Sequence, residues 1–272
     1  MRMLTLLSAA PQPDWSFFQW VVFFITTKYP EFIKGAYYTL LIAITSTLIG
    51  SLIGLVIGVV KTIPERHNDP PLKRALMRVA RGILQVYIEV FRGTPMMVQA
   101  MIIYYGLAKQ FQIYLPTLVA GIIIVSVNTG AYMAEIVRGG IDSVDKGQFE
   151  AAHTLGMSHG KTMLHIILPQ VIRNILPATG NEFIINIKDT AVLSVISVTE
   201  LFFASKSIAG TYMAYFETMT ITCAVYLVLT FTVTKLLRKL EKHMDGPSSY
   251  VINPAADPHR QIPEGGAGNA GH

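Results

Sequence analysis

Few side chains in this sequence could do chemistry, and their spacing decides which kind. Residues 156–162, GMSHGKT, resemble the phosphate-gripping pattern G-x4-G-K-[ST]. In that pattern glycine amides cradle phosphates and the lysine reaches them, provided a strand leads into the loop and a helix leaves it. Here only three residues part Gly156 from Gly160, one too few, and no strand-like run precedes them. A solvated helix face carrying Lys161 is the simpler reading. His153, His159 and His165 stand six apart, which does not keep one helical face, so no metal site is expected. No paired acid, His/Cys set or nucleophile elbow is present, so no catalytic residue is assigned. What is left is recognition. Asn128, Tyr132 and Glu135 fall at i, i+4 and i+7 and share a helical face. Gln99 and the pair Lys188-Asp189 stand in apolar surroundings. Such groups can offer hydrogen bonds and charge to an ammonium or a carboxylate.

The elements that must position them belong to a membrane protein. Of 272 residues 51% are hydrophobic and only 14% charged, whereas soluble domains carry about 25% charge. Apolar runs predict five spans, at about 37–60, 95–111, 115–138, 183–203 and 213–234. Gly50, Gly54 and Gly58 lie four apart in the first, a spacing that lets helices approach closely; packing within the chain is preferred to a seam between copies. The second span is short and opens at Arg92-Gly93-Thr94-Pro95, where proline suits a helix start. Two readings of that break stand: a cap at the cytoplasmic surface, or a discontinuous helix beside a transport path. A lipid-facing Glu135 would cost a few kcal/mol, so its face turns into the bundle; the alternative is an ion pair with Arg138. Lys188-Asp189, at the start of the fourth span, either line an inner gate or touch headgroups.

Between the spans the chain is polar. Residues 1–36 form an outer or interfacial segment. Within it, residues 15–27, with two tryptophans, suit the membrane interface, a sixth span being the alternative. Residues 61–92 are a basic connector, and 72–90 can lie as an amphipathic helix against the membrane. Residues 243–272 have the composition of a disordered tail. Cys223, the single cysteine, cannot form an intramolecular disulfide. The loop 139–182 contains EAAHTLGMSHGKTMLHIILP at 150–169, read as a short helix, a turn at Gly156 and a second helix ending near Pro169. Glu150 suits a first helical turn, while Ala151, Ala152 and Leu155 offer a smooth face for another protein. With this loop inside, the outer segments hold five basic residues, Arg2, Lys28, Lys34, Lys109 and Lys206. Lys188 and Arg260 aside, the other fifteen lie inside. The positive-inside rule therefore puts the N-terminus outside and the C-terminus in the cytoplasm.

Residues 150–169 resemble the signature of bacterial ABC importer permeases: Glu150-Ala151-Ala152, three residues, Gly156, nine residues, Ile166, one residue, Leu168-Pro169. The likeness extends over roughly residues 35–245. It includes Phe91-Arg92-Gly93-Thr94-Pro95 with Gln99, Gly130-Ala131-Tyr132, Ala134-Glu135-Ile136, Arg138-Gly139-Gly140-Ile141 and Lys188-Asp189-Thr190, a pattern similar to the polar amino acid branch. The resemblance implies an all-α, five-span type I importer permease of the cytoplasmic membrane with a cytoplasmic coupling helix. It implies no cofactor in this chain, with ATP and magnesium on partner subunits. The implied partners are a second permease chain, identical or related, two ATP-binding subunits, an extracellular amino acid binding protein and the lipid bilayer, with no nucleic acid. Coupling would fall to Glu150, Ala151, Ala152, Leu155, Gly156, Ile166, Leu168 and Pro169. The substrate path would fall to Gln99, Asn128, Tyr132, Glu135, Lys188 and Asp189. The implied cargo is a polar amino acid of the glutamine, glutamate, arginine, histidine or cystine class. A permease for another small solute is the alternative. A proton-coupled carrier fits less well, since five spans and no internal repeat are found.

Overall fold

The computed structural model describes residues 14–64 and 70–244, and every regular element among them is helical. The expected tail from residue 245 on and residues 1–13 of the N-terminal segment lie outside that range, while residues 243–244 still belong to the last helix. In order the helices are α1 (Phe17–Thr27), α2 (Tyr29–Thr62), α3 (Pro71–Gly93), α4 (Met96–Phe111), α5 (Thr117–Asp142), α6 (Lys146–Thr154) and α7 (His159–Thr162). A π-helical turn, Met163–Ile167, leads into α8 (Leu168–Asp189); a 3-10 stretch, Thr190–Ile196, follows, then α9 (Leu201–Tyr212) and α10 (Tyr215–Met244).

The molecule is built around α5, which buries thirteen of its 26 residues. The glycine face of α2 lies against it. A Cβ on Gly54 would come within 2.3 Å of Met133 Cβ, one on Gly50 within 2.7 Å of Thr129 Cβ, and one on Gly58 within 2.5 Å of Val137 Cγ1. Three small residues four apart thus meet three side chains four apart, and the seam is internal, as expected. Hydrophobic attraction between helices fades in lipid, so this close backbone approach supplies the dispersion contact that holds them.

Tyr29–Thr62, Thr117–Asp142 and Tyr215–His243 are each long and apolar enough to cross a membrane. His159–Ile196 with Leu201–Tyr212, bent by 53°, pass the same test as a pair. Several expected boundaries shift. The first helix long enough to cross, α2, begins at Tyr29, so the N-terminal segment does not extend to residue 36 as a separate unit. α1 has 11 residues, about 16 Å at 1.5 Å each, far too short to span; Trp20 and Phe24 pack it onto Tyr212 instead. The fourth expected span, 183–203, is not one helix. Helical geometry starts well before it, runs unbroken through Pro177, and ends as a 3-10 turn before Ser197, a left-handed residue at φ 62°. Hydropathy hid the first half of α8 because Arg173, Asn174, Asn181 and Glu182 interrupt its apolar pattern.

Candidate functional site

Polar side chains gather halfway along the long helices. On α8, Asn186 is buried and donates to Thr47 Oγ1 at 2.8 Å and Thr129 Oγ1 at 3.0 Å. Those threonines lie near the middle of α2 and α5. Lys188 and Asp189 follow on the same helix, so they do not sit at a cytoplasmic helix end. The fourth crossing starts earlier than hydropathy suggested, which carries the pair to mid-height. Both are exposed.

The corner between α3 and α4 lies at the same level. Tyr87 O–H donates to the Val127 carbonyl at 2.5 Å, and Asn128 Nδ2 donates to the Phe91 carbonyl at 3.1 Å. Gln99, itself buried, donates to the carbonyls of Phe91 at 3.0 Å and Thr94 at 2.9 Å and to Thr94 Oγ1 at 2.8 Å. Its own carbonyl accepts from Asn128 Nδ2 at 2.9 Å. The helix break frees backbone carbonyls that have no helical partner, and two amides take them up. Gln99 and Asn128 therefore bracket the corner rather than point open hydrogen-bonding groups at a solute. The corner thus lies against the middle of α5 at Asn128.

Arg92 stands at this corner with its guanidinium 5.4 Å from the Tyr132 ring centroid. Glu182 on α8 lies in the electrostatic reach of both Arg92 and Asp189. Among the described residues, none of Arg92, Glu182 and Asp189 has an opposite charge within ion-pair distance. Arg92 and Glu182 were not expected as site residues. Arg92 read as part of a basic connector, and Glu182 fell ahead of the expected span. Glu135 is in a different place. Its carboxylate takes Lys61 Nζ at 2.9 Å and Arg138 at 3.0 Å, toward the ends of α2 and α5. The alternative reading of Glu135, an ion pair with Arg138, is the one the structure has; Lys61 is added, and Glu135 is separate from the mid-height group.

Residues 143–167 form the second candidate site. Asp145 caps α6, its side chain accepting from Gly147 N at 2.8 Å. It fills the N-terminal role expected of Glu150, which lies in the middle of α6. The helix closes with Gly156 N bonded to His153 O at 2.9 Å and Met157 N to Ala152 O at 3.0 Å. This is a Schellman closure, and it places Gly156 at φ +73°. The turn is as expected. The second helix does not end near Pro169: α7 widens into the π turn, and Pro169 stands in the first turn of α8. The wider turn suits the loss of the proline N–H. Glu150, Ala151, Gly156 and Pro169 are exposed, and Leu155 is 80% exposed. Ala152, at 1%, is buried and is not on the outward face. Ile166 and Leu168 are half-buried beside Met163 and Ile167. Residues 156–162 have no strand before them, and no metal-binding cluster occurs among the described residues.

These features define a class: a polytopic helical membrane protein with a polar belt at mid-height and an exposed helical tab between two crossings. Residues 72–245 match the family described as binding-protein-dependent transport system inner membrane component, and the chain belongs to it. It is similar to the glutamine transport system permease protein GlnP of Escherichia coli, 37% identical over 217 residues, covering 79% of this chain and 93% of that protein. The L-cystine transport system permease protein TcyB of Bacillus subtilis is 34% identical over 218 residues, covering 80% and 88%. Among solved structures, an amino acid ABC transporter crystallised with histidines is 40% identical with a TM-score of 0.69, covering 80% of this chain and 96% of that one. The MetNI methionine ABC transporter, 17% identical with a TM-score of 0.62 over 77% and 94%, shares the fold. The chain therefore has the type I ABC importer permease fold and is a transport subunit, not an enzyme.

Proposed function

We propose that this chain forms the path by which polar amino acids enter the cell, moved by ATP hydrolysis on separate subunits. The cargo class is glutamine, glutamate, arginine, histidine or cystine, in keeping with the names of its relatives. A second permease chain completes the path, two ATP-binding subunits carry ATP and magnesium, and an extracellular binding protein delivers the solute. The observation that carries this reading is the group Arg92, Glu182 and Asp189: charges at mid-height without ion-pair partners. An ionisable group inside a membrane is costly and is retained where it serves a solute or ion. A free amino acid presents a carboxylate and an ammonium, which suit a guanidinium and a pair of carboxylates. Tyr132 holds the Arg92 guanidinium from one side by cation–π attraction. The exposed tab from Glu150 to Gly156 docks on the ATP-binding subunits, with Leu155 as its apolar knob. The loop and the C-terminus lie in the cytoplasm and the N-terminus outside.

The test is uptake of labelled glutamine, arginine, histidine and cystine by the complete transporter in proteoliposomes. Arg92→Ala and Glu182→Gln are each expected to lower uptake roughly ten- to hundredfold, the worth of one charge-assisted hydrogen bond. Lys109→Ala is expected to leave it unchanged. Full uptake by both belt variants would remove the mid-height group from the path.

A further inference from the structure

One unbroken run of side-chain contacts ties the C-terminal ends of α2 and α5 to the second half of α3. Arg138 on α5 donates to Asp142 Oδ2 at 2.9 Å and to Glu135 Oε2 from Nε at 3.1 Å and Nη2 at 3.0 Å. The other Glu135 oxygen accepts from Lys61 Nζ, at the end of α2, at 2.9 Å. The same ammonium donates to Gln85 Oε1 on α3 at 2.8 Å, and Gln85 Nε2 donates to Glu89 Oε1 at 2.7 Å. Glu135 is the carboxylate that both cations share. The side chains of Lys61 and Glu135 are only 14% and 22% exposed, so this pair is better shielded than a surface ion pair.

Where the run begins and ends gives it a role. It begins at Arg138 and Asp142, the end of α5, from which three residues lead directly into α6. It ends on α3 at Gln85 and Glu89, the first about two turns short of the corner that carries Arg92. There a second bracket, Gln99 with Asn128, fixes the corner to α4 and α5. The last turns of α3 are thus pinned twice, at Gln85 to the ends of α2 and α5 and at Phe91 to Gln99 and Asn128. A short rigid stretch of helix held at two points can carry a displacement between them.

We propose that Glu135 is a positioning residue for transport. Through Lys61 and Gln85 it ties the end of α5 that bears α6 to α3, so that movement of α6 is delivered to the Arg92 corner. This rests on the docking of α6 on the ATP-binding subunits proposed above. Glu135 itself touches no solute.

The experiment uses the complete transporter in proteoliposomes and reads uptake and ATP hydrolysis together. Glu135→Gln keeps the volume and removes the charge that both cations share. It is expected to leave the ATP-binding subunits attached and hydrolysing, while solute moved per ATP falls about tenfold, inside the range of a typical coupling free energy. Lys61→Met is expected to give a similar loss, and the double variant little more, since both changes break one contact. A parallel fall in uptake and hydrolysis, with their ratio unchanged, overturns the proposal, as does loss of assembly in both single variants; each marks a purely structural contact. A Gly156→Leu variant separates the two ideas. If it uncouples hydrolysis from uptake and Glu135→Gln does not, the link through α3 fails alone. If neither does, the docking role of α6 fails with it.

Discussion

At the scale of single residues, Gly156 has the clearest physical requirement. Its φ of +73° closes α6, and a Cβ added there would meet nothing within 4 Å. The obstacle to a side chain is therefore conformational and not steric. A left-handed backbone costs most L-residues about 1–2 kcal/mol, and asparagine less. Gly156→Ala is expected to weaken the closure by about that amount, and Gly156→Asn by less. The protein should reach the membrane in normal quantity while retention of the ATP-binding subunits on purification falls in the order Gly, Asn, Ala; equal retention by all three would count against the closure as a docking element. Gly156 was legible in the sequence because turn chemistry is local. Gln99 and Asn128 were legible as polar residues but not as brackets. Their acceptors are carbonyls that become free only when the chain breaks between α3 and α4, and nothing in a linear pattern pairs residue 128 with residue 91. Glu135 was legible as one half of an ion pair with Arg138, three residues on. Lys61, seventy-four residues away in the chain, was not.

At the scale of elements, the seam between α2 and α5 makes a sharper claim than the bare spacing of Gly50, Gly54 and Gly58. A Cβ at Gly54 would lie 2.3 Å from Met133 Cβ and 2.6 Å from the Met133 carbonyl carbon, so backbone must move to admit it. Gly54→Ala is expected to destabilise the purified protein by about 1–3 kcal/mol, the usual cost of overpacking. Gly82 on α3 meets nothing within 4 Å and has an ordinary helical backbone; there alanine should be neutral or stabilising by up to about 1 kcal/mol. Thermal unfolding of the two variants in one detergent reads the difference, and equal midpoints would mean that the seam relaxes freely. Two helices, α2 and α5, were legible because a long apolar run in a membrane has few alternatives. The crossing built on α8 was misplaced for a physical reason. Its first half packs one face against protein, with Val171 and Ile175 buried beside Gly140. Arg173, Asn174 and Asn181 stand exposed on its other side, where a lipid-facing helix would not carry them. Hydropathy reports contact with lipid, and this helix starts where that contact is partial.

At the scale of the whole molecule, everything proposed depends on which face is inside. α2 has 34 residues, about 51 Å long, against about 40–45 Å for a bilayer with its headgroups. Its two ends, near Lys28 and Lys61, therefore emerge on opposite sides. The Lys61 end lies beside Glu135 and the base of α6, so the exposed tab and Lys28 are on opposite faces. By the positive-inside rule the distribution of lysine and arginine argues for the tab inside, the orientation proposed above. A direct check is available because Cys223 is the single cysteine. In a Cys223→Ser background, Lys34→Cys and Lys146→Cys each provide one exposed thiol. A membrane-impermeant maleimide added to intact cells is expected to label the residue at position 34 and to spare the one at 146, at the base of the tab; after permeabilisation both should react. The opposite pattern would put the tab outside, away from ATP. It would then overturn the docking of α6 and, with it, the link from Glu135 to the Arg92 corner, while leaving the fold and the family untouched.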